Sequence, residues 1–100
     1  MILAVVTFRY EHDFDPEKID QTGRARRDFY VGREGLRQKF YWVDKERKEA
    51  GGIYTWDSRE AAESVYTSAW KSRAEQAFGA QPEIRFIDVT DVIVNSPVDR

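Results

Sequence analysis

EAGGIYTW at positions 49–56 sets two adjacent glycines in front of a β-branched and aromatic run. The run is typical of a β-strand, whereas glycine weakens a strand because it loses more entropy on folding and has no side chain to pack. Two glycines at the start of a strand therefore indicate that something bulky lies against that backbone. The bulky group is either the protein's own aromatic rings or a flat ligand, and the sequence leaves both open.

Three other segments have the composition of strands. ILAVVTFRY at 2–10 is apolar on both alternating faces, LRQKFYWV at 36–43 precedes the glycine strand, and EIRFIDVTDVIVN at 83–95 comes last. A charged loop of five residues at 44–48 separates the second strand from the glycine strand, and this predicts a β-hairpin.

Two helices are predicted between the strands. Asp15 followed by Pro16 starts the first as its N-cap and first helical residue, and the helix extends to about Tyr30. Asp57 starts the second as the first residue of a capping box, and Gly79 ends it.

The order β-α-β-β-α-β predicts an α+β, ferredoxin-like fold, with a four-stranded antiparallel sheet and two helices on one of its faces. The 100 residues make a single domain, 1–100. Because the first and last strands are apolar on both sides, the face away from the helices needs a cover. A second copy of the chain is the obvious cover, and we therefore expect a homodimer.

The pairing of the hairpin decides what lies on the glycines. If Trp42 is opposite Ala50, then Gly52 is opposite Phe40 and on the same face as Tyr54, and a ring can lie flat on the glycine backbone. This register is a hypothesis, because a slip of one residue would move every side chain to the other face.

The composition excludes several kinds of site. Without cysteine there is no disulfide framework, thiolate nucleophile or zinc knuckle, and a single histidine, His12, argues against a metal site built from several histidines. The net charge of −2 comes from interspersed acidic and basic residues, so nucleic acid and anionic membranes are not expected partners.

The apolar start, MILAVVTF, is too short for a signal peptide or a membrane span. We expect a cytoplasmic protein.

GLRQKFYWVDKERKEAGGIYTW, from Gly35 to Trp56, resembles the corresponding hairpin of the YdhR-type putative mono-oxygenases. In that family a glycine, a mid-strand lysine (here Lys39) and the string EAGGIY recur at this spacing. The last strand carries a matching string from Phe86 to Val89. The resemblance implies the dimeric α+β barrel of the antibiotic-biosynthesis-monooxygenase-like superfamily. In that barrel two sheets face each other, and each subunit has a pocket between its sheet and its helices.

The activity that the resemblance implies is a mono-oxygenation that needs no cofactor, neither metal nor flavin, and acts on a small aromatic or polyketide-like substrate. The same superfamily includes isomerases and decarboxylases, which are one alternative. A non-catalytic dimer that binds a small ligand or is associated with stress is another. Likeness at the level of the fold does not choose among these functions.

Oxygenation without a cofactor requires a base, an apolar cavity and donors that stabilise the developing anion. His12 is the candidate base, Tyr10 a candidate donor and Arg26 a candidate clamp for a carboxylate or phenolate. A solvated loop histidine and an arginine whose stem covers apolar surface are the alternatives. The candidate substrate-binding residues, which would otherwise fill the core or a dimer interface, are Trp42, Gly52, Tyr54, Trp56, Tyr66 and Trp70.

Lys39 lies in the middle of its strand. A buried lysine needs a partner, because an unpaired charge is costly to remove from water. Glu49 and Asp88 are the candidate partners, and we expect a structural salt bridge in the dimer rather than a catalytic amine.

Overall fold

The computed structural model of the protein describes residues 1–96. One antiparallel sheet has the strand order β2-β3-β1-β4, and its strands are β1 (Ile2–Arg9), β2 (Leu36–Asp44), β3 (Glu49–Trp56) and β4 (Pro82–Asp88). The helices are α1 (Pro16–Ala25), α2 (Arg59–Val65) and α3 (Ser68–Phe78), with a short 3₁₀ helix at Arg27–Phe29. The predicted ferredoxin-like α+β fold is confirmed, and positions 97–100 of the predicted domain lie outside the described residues.

Helix α1 begins as predicted and ends earlier. Asp15 accepts a hydrogen bond from the Lys18 amide at 3.2 Å, and Pro16 is the first helical residue. The helix stops at Ala25, short of Tyr30, because the chain turns there into the 3₁₀ helix. This turn brings Tyr30 into the core, where it is 6% exposed.

The second helical segment is capped one residue later than predicted. The Ser58 hydroxyl accepts a hydrogen bond from the Ala61 amide at 3.1 Å, so Ser58 is the N-cap, whereas the predicted cap Asp57 pairs with Arg37. Gly79 ends the segment in the left-handed conformation, at φ 78°, as predicted.

This segment is two helices rather than the single helix that its periodicity predicted. Helix α2 ends at Val65, with Tyr66 as its C-cap, and α3 begins after Thr67, whose hydroxyl accepts a hydrogen bond from the Trp70 amide at 3.2 Å. The break brings both Tyr66 and Trp70 into the core, where they are 7% and 2% exposed.

The predicted register of β2 on β3 is wrong by one residue from Gln38 onward, whereas Leu36 lies opposite Trp56, as the predicted pairing implies. Val43, and not Trp42, lies opposite Ala50, and Tyr41 lies opposite Gly52. An irregularity in the pairing near the start of β2 accompanies the shift. The shift reverses the two faces of β2. Lys39, Tyr41 and Val43 therefore lie on the face of the helices, and Trp42 lies on the opposite face.

Glycine is required at position 51 because the backbone of β1 lies against it. A Cβ at this position would overlap the backbone carbonyl oxygen of Val6 on β1, and it would also lie 3.1 Å from the Trp42 ring. Because the first obstruction is backbone, no change of rotamer can relieve it. The first glycine of the pair therefore allows β3 to approach β1 closely.

The last strand is shorter than predicted. It ends at Asp88, which is opposite Ile2 at the start of β1, so β4 has no neighbouring strand residue beyond that pair. The predicted extension to position 95 is not strand in the structure. Val92, Ile93 and Val94 are exposed there.

The core lies between the sheet and the helices. Alternate residues of β1 and β3 point into it, and helix residues cover them; its members include Ile2, Ala4, Val6, Phe8, Ala50, Tyr54, Trp56, Val65 and Trp70. The other face of the sheet has no layer within the described chain. Among residues 1–96, no helix has the length and hydrophobicity that crossing a membrane requires.

Candidate active site

A pocket with a volume of about 110 Å³ lies between the sheet and helices α1 and α3. Aromatic side chains form much of its wall, and two cationic side chains and one carboxylate border it. We call it the aromatic pocket and define it by Tyr30, Lys39, Tyr54, Trp70, Phe78 and Arg26.

Two glycines make room beside this pocket. A Cβ on Gly52 would lie 3.0 Å from a ring carbon of Tyr54 and 3.3 Å from Cε of Lys39. A Cβ on Gly23, in α1, would lie 3.2 Å from the ring of Tyr41. The bulky groups that lie on the second glycine of EAGGIYTW are therefore the stem of Lys39 and the ring of Tyr54, both of which border the pocket.

Three tyrosine rings surround the amine of Lys39. Its Nζ lies 3.6 Å from the ring centroid of Tyr30, 4.2 Å from that of Tyr41 and 4.7 Å from that of Tyr54. Burial lowers the pKa of Lys39 to about 7, and the positive charge of Arg26 acts in the same direction. The rings attract the charged form, so the amine is held in place while it remains able to exchange a proton near neutral pH.

Hydrogen bonds fix the aromatic wall. Trp70 Nε1 donates to the Tyr30 hydroxyl at 2.9 Å, and the Tyr30 ring meets the Tyr54 ring edge-on with centroids 5.6 Å apart. Burial raises the pKa of Tyr54, as does the neighbouring Tyr30, so the phenol of Tyr54 keeps its proton over the physiological range. The wall therefore presents rings in fixed orientations with protonated hydroxyl groups among them.

The structure brings part of the predicted substrate-binding set together. Gly52, Tyr54 and Trp70 border the aromatic pocket, together with Arg26. The Arg26 guanidinium lies 5.7 Å from the centroid of the Phe78 ring. Trp42 also borders the pocket, although the register places its side chain on the opposite face of the sheet.

Trp56 and Tyr66 lie deeper, in the core. Trp56 is 0% exposed, and its Nε1 donates to the Tyr66 hydroxyl at 3.1 Å. Burial raises the pKa of Tyr66, so this hydroxyl also stays protonated. Neither residue borders the aromatic pocket, and both support the Tyr54 ring from behind, with centroids 6.2 Å and 5.5 Å away.

His12 and Tyr10 border a different cleft, of about 550 Å³, between the end of β1 and the end of α3. His12 is exposed there. The Tyr10 hydroxyl donates to the Phe78 carbonyl at 2.8 Å, a bond that ties β1 to α3. Burial raises the pKa of Tyr10. The structure therefore does not bring these two residues together with Arg26, and the catalytic roles predicted for all three stay predictions.

Lys39 and Tyr30 are the pocket residues whose roles the sequence reasoning missed. Within residues 1–96 no carboxylate lies at ion-pair distance from Lys39, and the expected partner Glu49 pairs with Arg9 at 3.3 Å. The signal for Lys39 was its position in the middle of β2, but only the correct register shows that it faces the helices. Across the same residues, no three histidine, aspartate or glutamate side chains gather as metal ligands.

Comparison with known structures supports the fold. A monooxygenase from the gene ActVA-Orf6 of Streptomyces coelicolor, solved in complex with nanaomycin D, superposes with a TM-score of 0.68 at 15% identity, over 95% of this chain and 92% of that one. SnoaB, a cofactor-independent oxygenase from Streptomyces nogalater, superposes with a TM-score of 0.67 at 11% identity, over 92% and 95%. At such identities the likeness shows a shared fold.

The sequence comparison assigns the family. No curated protein matches the chain. Residues 3–96 match the family whose description is "Putative mono-oxygenase ydhR", in agreement with the hairpin resemblance. Since this match spans nearly all of the 100 residues, the protein belongs to the YdhR family of putative mono-oxygenases.

Proposed function

We propose that the protein is a cofactor-independent mono-oxygenase of small aromatic or polyketide-like compounds and that the substrate binds in the aromatic pocket. The observation that carries the proposal is the pocket itself, in which flat rings and the cationic groups Lys39 and Arg26 converge. Rings suit stacking on an aromatic substrate, and cations stabilise an oxyanion formed on it. Membership of a mono-oxygenase family supports the same reaction class.

The reaction balances without an external reductant when the substrate is a hydroquinone. One hydroquinone and one O₂ give one hydroxyquinone and one water: one oxygen atom is inserted into a ring C–H bond, and the other leaves as water. All four electrons come from the organic substrate. The protein contributes binding, exclusion of water and stabilisation of charge. The volume of about 110 Å³ favours compounds of a single ring.

The proposal includes a homodimer, in the cytoplasm, that covers the open face of the sheet. Leu3, Val5 and Ile53 are only half-buried on that face, and Phe40 is 44% exposed. Two polar atoms that the chain shields from water, Trp42 Nε1 and Thr55 Oγ1, have no hydrogen-bond partner within residues 1–96. A second copy would bury these apolar groups and complete the barrel.

The activity is tested by oxygen uptake. The purified protein is mixed with a panel of hydroquinones and naphthohydroquinones, and O₂ consumption is followed together with product mass. Uptake above the non-enzymatic rate, with a gain of one oxygen atom in the product, is the expected result. If the compounds bind but no member of the panel is oxidised faster than without protein, the oxygenase function is wrong. A small-ligand-binding protein then becomes the better description.

The location of the reaction is tested with a variant that fills the pocket. Gly23→Leu places a side chain beside the Tyr41 ring and into the aromatic pocket, and Tyr41 is exposed enough to move aside. We expect uptake to fall at least about tenfold while the fold is kept. Gln21→Leu, on the exposed side of the same helix, is the matched control and should leave the rate unchanged. Equal rates in both variants would place the reaction elsewhere.

A further inference from the structure

The amine of Lys39, a half-buried residue, has rings and not carboxylates around it. Its three nearest rings belong to Tyr30, Tyr41 and Tyr54, at 3.6 to 4.7 Å from Nζ. Within the described chain it takes part in no ion pair. A carboxylate partner would hold the proton on the amine at all physiological pH values. Without one, only the rings favour the charged form, and burial and the charge of Arg26 oppose it.

The charged and titratable groups around this amine come from each element that packs on it. Helix α1 contributes Asp20 to the pocket, and the turn after α1 contributes Arg26 and Tyr30. The Asp20 carboxylate is already paired with Arg24 at 3.0 Å. The strands contribute Tyr41 and Tyr54, whose pKa values burial raises, so neither competes for a proton near neutral pH. Arg27 lies farther out, beside Tyr41.

These contacts leave Lys39 as the titratable group of the aromatic pocket that changes charge near neutral pH. Burial and Arg26 lower its pKa to about 7. An amine desolvated beside another cation is an established way to make a lysine reactive. A general base works best when its pKa is close to the operating pH.

We propose that Lys39 is the proton acceptor of the aromatic pocket and that the pocket therefore selects phenols and hydroquinones, whose hydroxyl can give up a proton to Nζ. In this step the phenol O–H bond breaks and an N–H bond forms, while the electron pair stays on the phenolate oxygen. Nothing is oxidised or reduced. The resulting ammonium group and the Arg26 guanidinium both stabilise the phenolate. This assignment rests on the proposed function, because it names the substrate class of the same pocket.

Direct binding of a phenol tests the proton transfer without turnover. The probe is 4-hydroxyacetophenone, a single-ring phenol whose ionised form absorbs at longer wavelength than its neutral form. Measurements are made in weakly buffered solution at a pH between the pKa of Lys39 and that of the probe. We expect the wild-type protein to bind the probe in its ionised form and to release almost no proton to the solution, because Lys39 takes it.

Two substitutions separate the base from the positive charge. Lys39→Arg keeps a cation that cannot lose its proton, so it should still ionise the probe but release about one proton per probe bound. Lys39→Met should bind the neutral form only. Lys45→Met, in the exposed loop between β2 and β3, is the matched control and should behave like the wild type. Far-UV circular dichroism and thermal unfolding establish that each variant is folded.

Two results would overturn the assignment. One is an ionised probe in Lys39→Met, and the other is a wild-type protein that releases as many protons as Lys39→Arg. Kinetics give an independent readout: Lys39→Arg should lower the rate of hydroquinone oxidation about 10²- to 10⁴-fold and remove the rise of rate around neutral pH. Turnover with an unchanged pH profile in Lys39→Arg would refute the role of Lys39 and leave the oxygenase function intact. Proton transfer without oxygen uptake would refute the function and leave the role of Lys39 intact.

Discussion

The two adjacent glycines should differ sharply in their tolerance of alanine. In Gly51→Ala the new Cβ overlaps the carbonyl oxygen of Val6, and the obstruction is backbone in the centre of the sheet. In Gly52→Ala the closest atoms are a ring carbon of Tyr54 at 3.0 Å and, at 3.3 Å, Cε of Lys39 and the carbonyl oxygen of Phe40, so the contacts are tight but none overlaps the new Cβ. The first substitution must displace β3 from β1, whereas the second requires its neighbours to move by only a few tenths of an ångström.

The magnitudes follow from these contacts. Moving the strands apart around Gly51 weakens two or three ladder hydrogen bonds, at about 1 kcal/mol each, and adds backbone strain, so we expect a loss of at least about 3 kcal/mol. At Gly52 the tight contacts cost about 1 kcal/mol or a little more. Alanine also lowers the conformational entropy of the unfolded chain, which stabilises the folded protein by about 0.4–1 kcal/mol. Gly52→Ala should therefore stay within about 1 kcal/mol of the wild type.

Urea unfolding followed by tryptophan fluorescence and far-UV circular dichroism measures both variants. All samples are kept at one protein concentration, because assembly of copies would make the apparent stability depend on concentration. Equal free energies of unfolding for the two variants, or a greater loss for Gly52→Ala, would refute the register and the contacts on which the reasoning rests. Recovery of Gly51→Ala only as insoluble protein, beside soluble Gly52→Ala, would agree with the expected order.

Two further predictions concern the aromatic wall and its pH dependence. Trp70→Phe removes the donor to the Tyr30 hydroxyl and leaves a buried void, so we expect a loss of about 2–4 kcal/mol in urea unfolding; a loss below about 1 kcal/mol would show that this bond does not hold the wall. The folded protein releases the Lys39 proton near pH 7, whereas the unfolded chain keeps it until about 10.5, so stability should rise with pH from about 7 towards 10. Above about pH 10 it should fall, because the raised pKa values of Tyr54 and Tyr66 keep protons that the unfolded chain loses. Urea unfolding midpoints measured across this range test both the rise and the fall of stability. If stability still rises above pH 7 in Lys39→Met, the rise does not come from the Lys39 amine.

Local signals in the sequence were enough for the order of the four strands and for the helical segments between them. The Asp15–Pro16 start, the charged hairpin loop and the stop at Gly79 act through neighbouring residues, and the structure has all three. The hairpin from Gly35 to Trp56, with its string EAGGIY, carried the family resemblance, which the family match confirms. Caps and turns of this kind can be read without knowing what lies across the sheet, because their hydrogen bonds span only three or four residues.

The candidate site was only partly predictable. Aromatic side chains such as Tyr54 and Trp70 were expected at a pocket from their size alone, and they border it. His12 is the natural base by residue type, because histidine is the side chain suited to proton exchange near neutral pH, but the fold places it in a different cleft. Lys39 was expected to pair with a carboxylate, and its amine instead lies among rings from three separate parts of the chain.

The sequence by itself determined the ferredoxin-like arrangement, the start of the first helix and the family. Only the tertiary structure decided the register of β2 on β3 and, with it, the direction in which Lys39 and Trp42 point. The physical reason is that both registers satisfy the hairpin loop and the local strand propensities equally well. The choice between them is made by contacts between distant residues, such as Gly51 against Val6 and Lys39 against Tyr30, which no local pattern records.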